Sequence, residues 1–590
     1  MWNHVGSGFV MSKRFHSMLS SLVWPLSLSA CAMSANAPES TDHSTGAPAP
    51  NTTVDRFTFL QEMPASALSA EDAALDSEPT AATIPSRSGQ MATRKGLGKK
   101  SSAAVRSGSA PSRPSLARIP QPPTDDAVSP GNSHTHHGVN PFTITAHDAL
   151  STFAIDVDTA SYSLLRRALA SGQLPHQAAV RVEEFVNYFD YNSYTGPTDD
   201  TPFAVHMEAM PHPFRPNRHI LRVGVQGQDV DRSEREPVHL TFLIDVSGSM
   251  NSPDKLGMAK ESMHMMVNQL REDDTVALAT YAGRTARILE PTAAVDKKAI
   301  HTAIEDLRAG GSTAMSSGID IAYDMAAESF RSGHENRVVV ISDGDANVGR
   351  TSWDDMLSQI KGHADRGITL STIGVGAGNY RDTLMEQLAN KGDGNNFYID
   401  TQAQAQRVFV EQLPGTMVTI ARDVKIQVEF QPESVQAYRL IGYENRAIAD
   451  QHFRNDRVDA GEIGSGHNVT ALYEVLLSED HGTDLATVRM RWEAPGADKA
   501  ASERAFSFPH DGLQASVPLA SKDTRLAFAA ATFAEVLRGS PHTAELNMDT
   551  LIAFTRAAAR NGEADDRELL SLMRTADRLD SGETILARQY

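Results

Sequence analysis

Between residues 236 and 418 short apolar runs alternate with stretches of helical spacing. The runs are His239–Ile244, Val276–Tyr281, Val338–Ser342, Thr369–Val375 and Asn396–Ile399. Helical spacing covers Lys255–Leu270, Lys297–Leu307, Ser317–Phe330, Ser352–Arg366, Arg381–Asn390 and Gln402–Leu413. Runs of strand length that stay apolar suit strands buried on both faces. Their alternation with helices predicts an α/β fold with a doubly wound, mostly parallel sheet and ligands at its carboxyl edge.

The flanks carry a different pattern. Phe203–Ala209, Ile220–Val225, Val424–Phe430, Val469–Leu477 and Leu485–Trp492 alternate apolar and polar positions as half-buried strands do. They lie on both sides of the α/β stretch. The expectation is one discontinuous β-sandwich from residues 201–235 and 419–515, with the α/β domain of residues 236–418 inserted. Residues 141–200 read as a helical segment: Leu164, Leu165, Ala168 and Leu169 share a face, Pro175 breaks the pattern, and Val180–Phe189 resumes it. Residues 516–590 turn helical again, with Leu526, Ala529, Ala530, Phe533 and Leu537 marking a first helix and at least two more following.

Before residue 141 no such periodicity exists. Residues 32–140 are rich in Ser, Ala, Pro, Thr and Gly, and cannot bury enough apolar surface to offset the entropy of ordering. They read as a disordered tether. Within it Arg87, Arg94, Lys95, Lys99, Lys100, Arg106, Arg113 and Arg118 form a stretch without acidic residues, either a solvated linker or a patch for anionic envelope polymer. His134, His136 and His137 cluster there too, without surrounding structure to orient them.

Residues 1–31 read as a signal peptide, with Lys13 and Arg14 ahead of the mostly apolar run Met18–Leu28. Leu28-Ser29-Ala30-Cys31 resembles the bacterial lipoprotein cleavage box, and Cys31 is the single cysteine of the 590-residue chain. The resemblance implies lipidation at Cys31, and Ala32 in place of a retention aspartate implies the outer membrane. The remaining sequence has no run of the ~18 apolar residues a membrane helix needs, so the chain touches the membrane through its lipid anchor only. A net charge of −20 lacks the basic footprint of a nucleic-acid binder.

The candidate chemistry is a set of hard oxygens. Asp245, Ser247 and Ser249 follow the first apolar run directly. Thr313 sits on the Gly310-Gly311 turn before a helix, and Asp343 ends the Arg337–Ser342 run. Oxygen donors at tight spacing suit Mg²⁺, with Mn²⁺ or Ca²⁺ as alternatives, rather than zinc. Here the chain resembles a von Willebrand factor type A domain, a Rossmann-like fold, and the five residues match that family's metal-ion-dependent adhesion site in order. The resemblance implies that hydroxyls hold the metal, that carboxylates act directly or through water, and that an acidic side chain of a protein partner fills the open position. The regions Ser151–Tyr162, Tyr438–Asn445, Val458–His467 and Thr470–Glu474 are similar to the flanks of a bacterial subfamily of such lipoproteins.

Other readings compete. Asp156-Val-Asp158 is similar to the opening of haloacid-dehalogenase-type phosphatases, but Ala160 stands where that motif wants Thr or Val. Gly374, Gly376 and Gly378 have the wrong spacing for a dinucleotide loop. Glu462 and His467 sit in or beside a Gly-rich stretch that reads as a hairpin, with a pocket as the alternative, and Met258, Met263, Met265 and Met266 read as core or partner contact. No base or nucleophile accompanies the oxygen set, which favours binding over catalysis. A metal-dependent hydrolase of phosphate esters, or a scaffold whose metal ties loops together, remain the alternatives.

Overall fold

The computed structural model describes residues 137–581, apart from 232, 234, 283–284, 312–314, 345–351, 377–381, 413–414, 416, 480–481, 483 and 496–499. The signal peptide with Cys31, the tether up to residue 136 with its basic stretch, His134 and His136, and Thr313 lie outside the described residues; residues 137–140 of the expected tether are described.

The inserted unit has six strands in the order Asn396–Ile399, Ile368–Val375, Glu335–Ser342, Val238–Asp245, Thr275–Tyr281 and Ala286–Ala293. All neighbours pair parallel except the last two. Continuous apolar sequence produces this because both faces are covered. Leu240, Phe242 and Ile244 pack with Met263, Met266, Ile300 and Phe409 on one side. Leu243, Ala277 and Ala279 pack with Ile319, Tyr323, Ile360 and Leu388 on the other. The fold is the doubly wound sheet that the alternation predicts. The strand Ala286–Ala293 was not foreseen: it is half exposed, carries Pro291 and bulges against Thr275–Tyr281, as an edge strand can.

Two antiparallel sheets enclose a separate core. One orders Thr143–Ile144, Val435–Ile441, Asn468–Leu477, His219–Gly227 and Phe203–Pro211. The other orders Gly461–Gly464, Thr419–Phe430, Asp484–Glu493 and Ala501–Pro509, with Leu150–Ala154 also paired to Thr419–Phe430. Leu221, Val223, Ala471 and Tyr473 of the first face Ile426, Val428, Val488 and Met490 of the second in one cluster. Both sheets mix strands from before and after the inserted unit, so the sandwich is discontinuous. The segment read as helical supplies a strand to each sheet before its helices Ala160–Ala170 and Val182–Val186. Anchoring starts at Asn140, which donates to the Leu440 and Gly442 carbonyls. Three helices, Lys522–Leu537, Met548–Ala558 and Ala564–Asp580, complete the C-terminal region.

A buried ionic joint connects these parts. Asp156 and Asp158 follow the strand Leu150–Ala154, and both bind the Arg446 guanidinium, at 3.1 and 3.2 Å. Asp158 also accepts the Asn396 N–H of the inserted sheet, at 2.9 Å. Glu184 accepts from Ser161 N–H and Arg181, and Arg181 reaches Glu386 of the inserted unit at 3.6 Å. Burial raises Asp158, Glu183 and Glu184 well above ordinary carboxyls, Glu183 to about 7. Glu183 still accepts the Tyr443 N–H at 2.9 Å, where Gly442 and Tyr443 both take positive φ. Next to the joint Tyr443 packs its ring at a tilt against Phe153 and donates to the Thr470 carbonyl.

Two outcomes follow. Arg446→Met strands two buried carboxylates and lowers unfolding free energy by about 3–5 kcal/mol in urea titration. Glu183 binds its proton more tightly folded than unfolded, so its contribution is full below its ordinary value of 4.5 and is lost as pH rises through about 7. Glu183→Gln therefore raises stability at pH 8 by roughly 2 kcal/mol and flattens the stability–pH curve across that window.

Candidate metal site

Asp245 is the last residue of the strand Val238–Asp245 and is fully buried at the carboxyl edge. The chain then turns sharply. Ser247 N–H donates to Asp245 Oδ1 at 2.8 Å, and Ser342 Oγ donates to Oδ2 at 3.1 Å. The Ser247 and Ser249 hydroxyls lie 2.8 Å apart, Ser247 buried and Ser249 exposed at the rim. Asp343 follows the neighbouring strand Glu335–Ser342 and is buried as well. A crossing strand thus brings together residues almost a hundred positions apart, because parallel neighbours end at the same edge.

Backbone bonds lace the adjoining loops to this turn. Val246 N–H donates to the Tyr281 carbonyl at 3.2 Å, Gly310 N–H to Val246 at 2.7 Å and Gly248 N–H to Gly311 at 3.1 Å. Gly311 takes φ +100°, which suits glycine alone. The loop leading to Thr313 is therefore tied against Gly248, while Thr313 itself is outside the described residues.

Electrostatically the edge is strained by like charge. Burial pushes the Asp245 carboxyl up, and the neighbouring Asp343 charge adds to the shift. The buried Tyr281 phenol beside them is pushed up by burial and then by Asp245. Among the described residues Lys255 answers this, its Nζ lying 2.8 Å from Asp343 Oδ2. Hydroxyl and carboxylate oxygens around a buried negative pocket fit a hard divalent ion. Asp245, Ser247, Ser249 and Asp343 are the described residues that would hold it.

Sequence reasoning missed Lys255, Ser342 and Tyr281. Lys255 was placed only as the start of a helix. The observed element is a π-helical turn, Pro253–Gly257, before the helix Met258–Gln269. A lysine in the first turn after a carboxyl-edge loop lies near that edge, and this was the available signal.

The other candidates do not form competing sites. Asp156, Asp158 and Glu184 are the three carboxylates close enough to share a metal among the described residues, yet Arg446 and Arg181 already span them. An Asp156 held through both oxygens has no free nucleophile to offer. Glu462 lies in the strand Gly461–Gly464. His467 contacts the Gln412 carbonyl at 3.3 Å and borders a cavity of about 380 Å³ with Arg407 and Glu411. Met263 and Met266 are core, as their spacing suggests.

Comparison with known proteins agrees with this architecture. Residues 239–412 match the von Willebrand factor type A domain model. Residues 129–222 match a model described as von Willebrand factor, and residues 415–579 match the C-terminal model of the uncharacterized protein YfbK. YfbK of Escherichia coli (strain K12) is 36% identical over 456 residues, covering 73% of this chain and 78% of that protein. The uncharacterized protein sll0103 of Synechocystis is 28% identical over 192 residues, covering 32% and 44%. A solved von Willebrand factor type A structure from Catenulispora acidiphila has 17% identity and a TM-score of 0.37, covering 66% of this chain and 91% of that one.

At neutral pH an ionised, buried Asp245 opposes folding unless a cation accompanies it. Asp245→Asn keeps a carbonyl acceptor for the Ser247 N–H. In EDTA this variant is expected to melt at or above the wild-type temperature in scanning calorimetry, whereas a structural aspartate would lower it by several degrees.

Proposed function

Because this chain belongs to the YfbK family, with a von Willebrand factor type A domain set between flanking regions of that family's kind, we propose that it binds a protein partner through a divalent cation held by Asp245, Ser247, Ser249, Thr313 and Asp343. The metal is Mg²⁺, with Mn²⁺ or Ca²⁺ as alternatives. When bound, it supplies positive charge and an open coordination position for an acidic side chain of the partner. The observation that carries the reading is the convergence of buried Asp245 and Asp343 at one edge with the exposed Ser249 hydroxyl at its rim. Such an edge repels a partner carboxylate until a cation is present, which makes binding metal-dependent. The function is binding, not catalysis.

The chain's own residues divide the work. Ser247, Ser249 and Thr313 offer neutral hydroxyls, leaving the ion electrophilic towards an incoming carboxylate. Asp245 and Asp343 balance its charge. The backbone bonds of Ser247, Gly248 and Gly310 fix the loops before the ion arrives.

The protein works in a bacterial cell envelope, anchored through lipid on Cys31, at the outer membrane. The tether of residues 32–140 gives the folded part reach from the bilayer. Among the described residues no helix is long and apolar enough to cross a membrane, in keeping with attachment by lipid alone.

The test is retention of an envelope partner by the immobilised protein in 5 mM-scale Mg²⁺ against EDTA, for wild type and Asp245→Ala. Capture that depends on Mg²⁺ and falls at least tenfold in Asp245→Ala supports the proposal. Equal capture in EDTA, or by a folded Asp245→Ala, sinks it.

A further inference from the structure

The Lys255–Asp343 pair has a setting that surface ion pairs lack. Its lysine side chain is 13% exposed and its aspartate 3%. The lysine belongs to the π-helical turn Pro253–Gly257, five residues long, between the turn carrying Ser247 and Ser249 and the helix Met258–Gln269. Single π-turns place a side chain out of the ordinary helical register and recur at functional sites.

The stem of Lys255 runs across Gly376, at the end of the strand Ile368–Val375. A Cβ at Gly376 would lie 2.0 Å from Lys255 Cγ, and Gly376 takes φ +78°. Glycine there thus leaves room for the lysine stem. The Gly376 carbonyl is in turn gripped by Arg167 Nη1 at 2.6 Å and by the Tyr398 hydroxyl. Arg167 comes from the flanking helix Ala160–Ala170 and Tyr398 from the sheet. The flank and the inserted unit together build the seat that aims this ammonium at Asp343.

We propose that Lys255 is a built-in counter-cation of the site: its ammonium compensates Asp343 until a divalent ion displaces it, so metal loading is an exchange of one cation for another. The inference rests on the metal reading above and adds its regulation. An ammonium and a divalent ion drawn to the same buried carboxylate repel each other. The metal must therefore overcome the lysine's hold on Asp343. The displaced lysine then stands free at the rim.

Titration of Mn²⁺ into the full chain, read calorimetrically, compares wild type with Lys255→Met, Lys255→Arg and Asp245→Ala. Lys255→Met removes the competing ammonium from Asp343, so its affinity for Mn²⁺ is expected to rise about tenfold, while Lys255→Arg stays near wild type. Unchanged or weakened affinity in Lys255→Met overturns the exchange and leaves the metal site standing. No saturable uptake by wild type or Lys255→Met overturns the metal reading and the exchange together. Lysine acylation of the wild-type chain, mapped by mass spectrometry, needs no folded variant: labelling of Lys255 is expected to rise several-fold with saturating Mn²⁺. Unchanged labelling at a metal concentration that saturates the calorimetric signal also overturns the exchange.

Discussion

Arg446 meets Asp156 across 290 residues of chain, and the contact holds three parts of the molecule in register. The aspartates arrive on the N-terminal segment and the arginine on the far side of the inserted unit. The inserted unit touches the same joint through the Asn396 N–H of its sheet and Glu386 of its helix Asp382–Lys391. Buried carboxylates cost several kcal/mol each unless paired and hydrogen-bonded, so this geometry tolerates little drift. Its neighbours Gly442 and Tyr443 show how demanding it is. Two consecutive left-handed residues are held there by Glu183, Asn187 and Thr470.

The same demand for positive charge shapes the carboxyl edge of the inserted sheet. In the joint, arginines meet it permanently: planar forks bind two carboxylates and have no reason to leave. At the edge, among the described residues, Lys255 meets it through its ammonium, 2.8 Å from Asp343 Oδ2. A point charge held by one contact is the kind of partner that a stronger cation can replace. Arginine thus serves the joint and lysine the edge.

The inserted sheet was legible because its physics is local in sequence. Apolar runs and helical spacing locate its core strands within a residue or three, from His239–Ile244 against Val238–Asp245 to Asn396–Ile399, which coincides. Asp245, Ser247 and Ser249 were legible for the same reason: they sit in one turn. Asp343 followed from strand order. The edge strand Ala286–Ala293 was not, since half exposure and Pro291 blur its alternation. The strands Thr143–Ile144 and Leu150–Ala154 were hidden because their partners lie hundreds of residues later. Lys255 and Arg446 escaped notice for a related reason. A long cationic side chain reads as surface until the fold shows which carboxylate it faces.

The discontinuous sandwich has a consequence for how the chain must assemble. Every strand of the inserted sheet finds its neighbours within residues 238–399. The strand Leu150–Ala154 must wait for Thr419–Phe430, and His219–Gly227 must wait for Asn468–Leu477. While the chain is still incomplete, the middle can therefore be native before both of its neighbours close. Contacts of such long sequence separation form late and slowly. The acids of the joint spend that interval without their arginine, solvated and exposed. Assembly thus ends with the closing of two sheets around a unit already built, and a chain cut short before residue 446 would carry a finished centre without the clasp that fixes it to the rest.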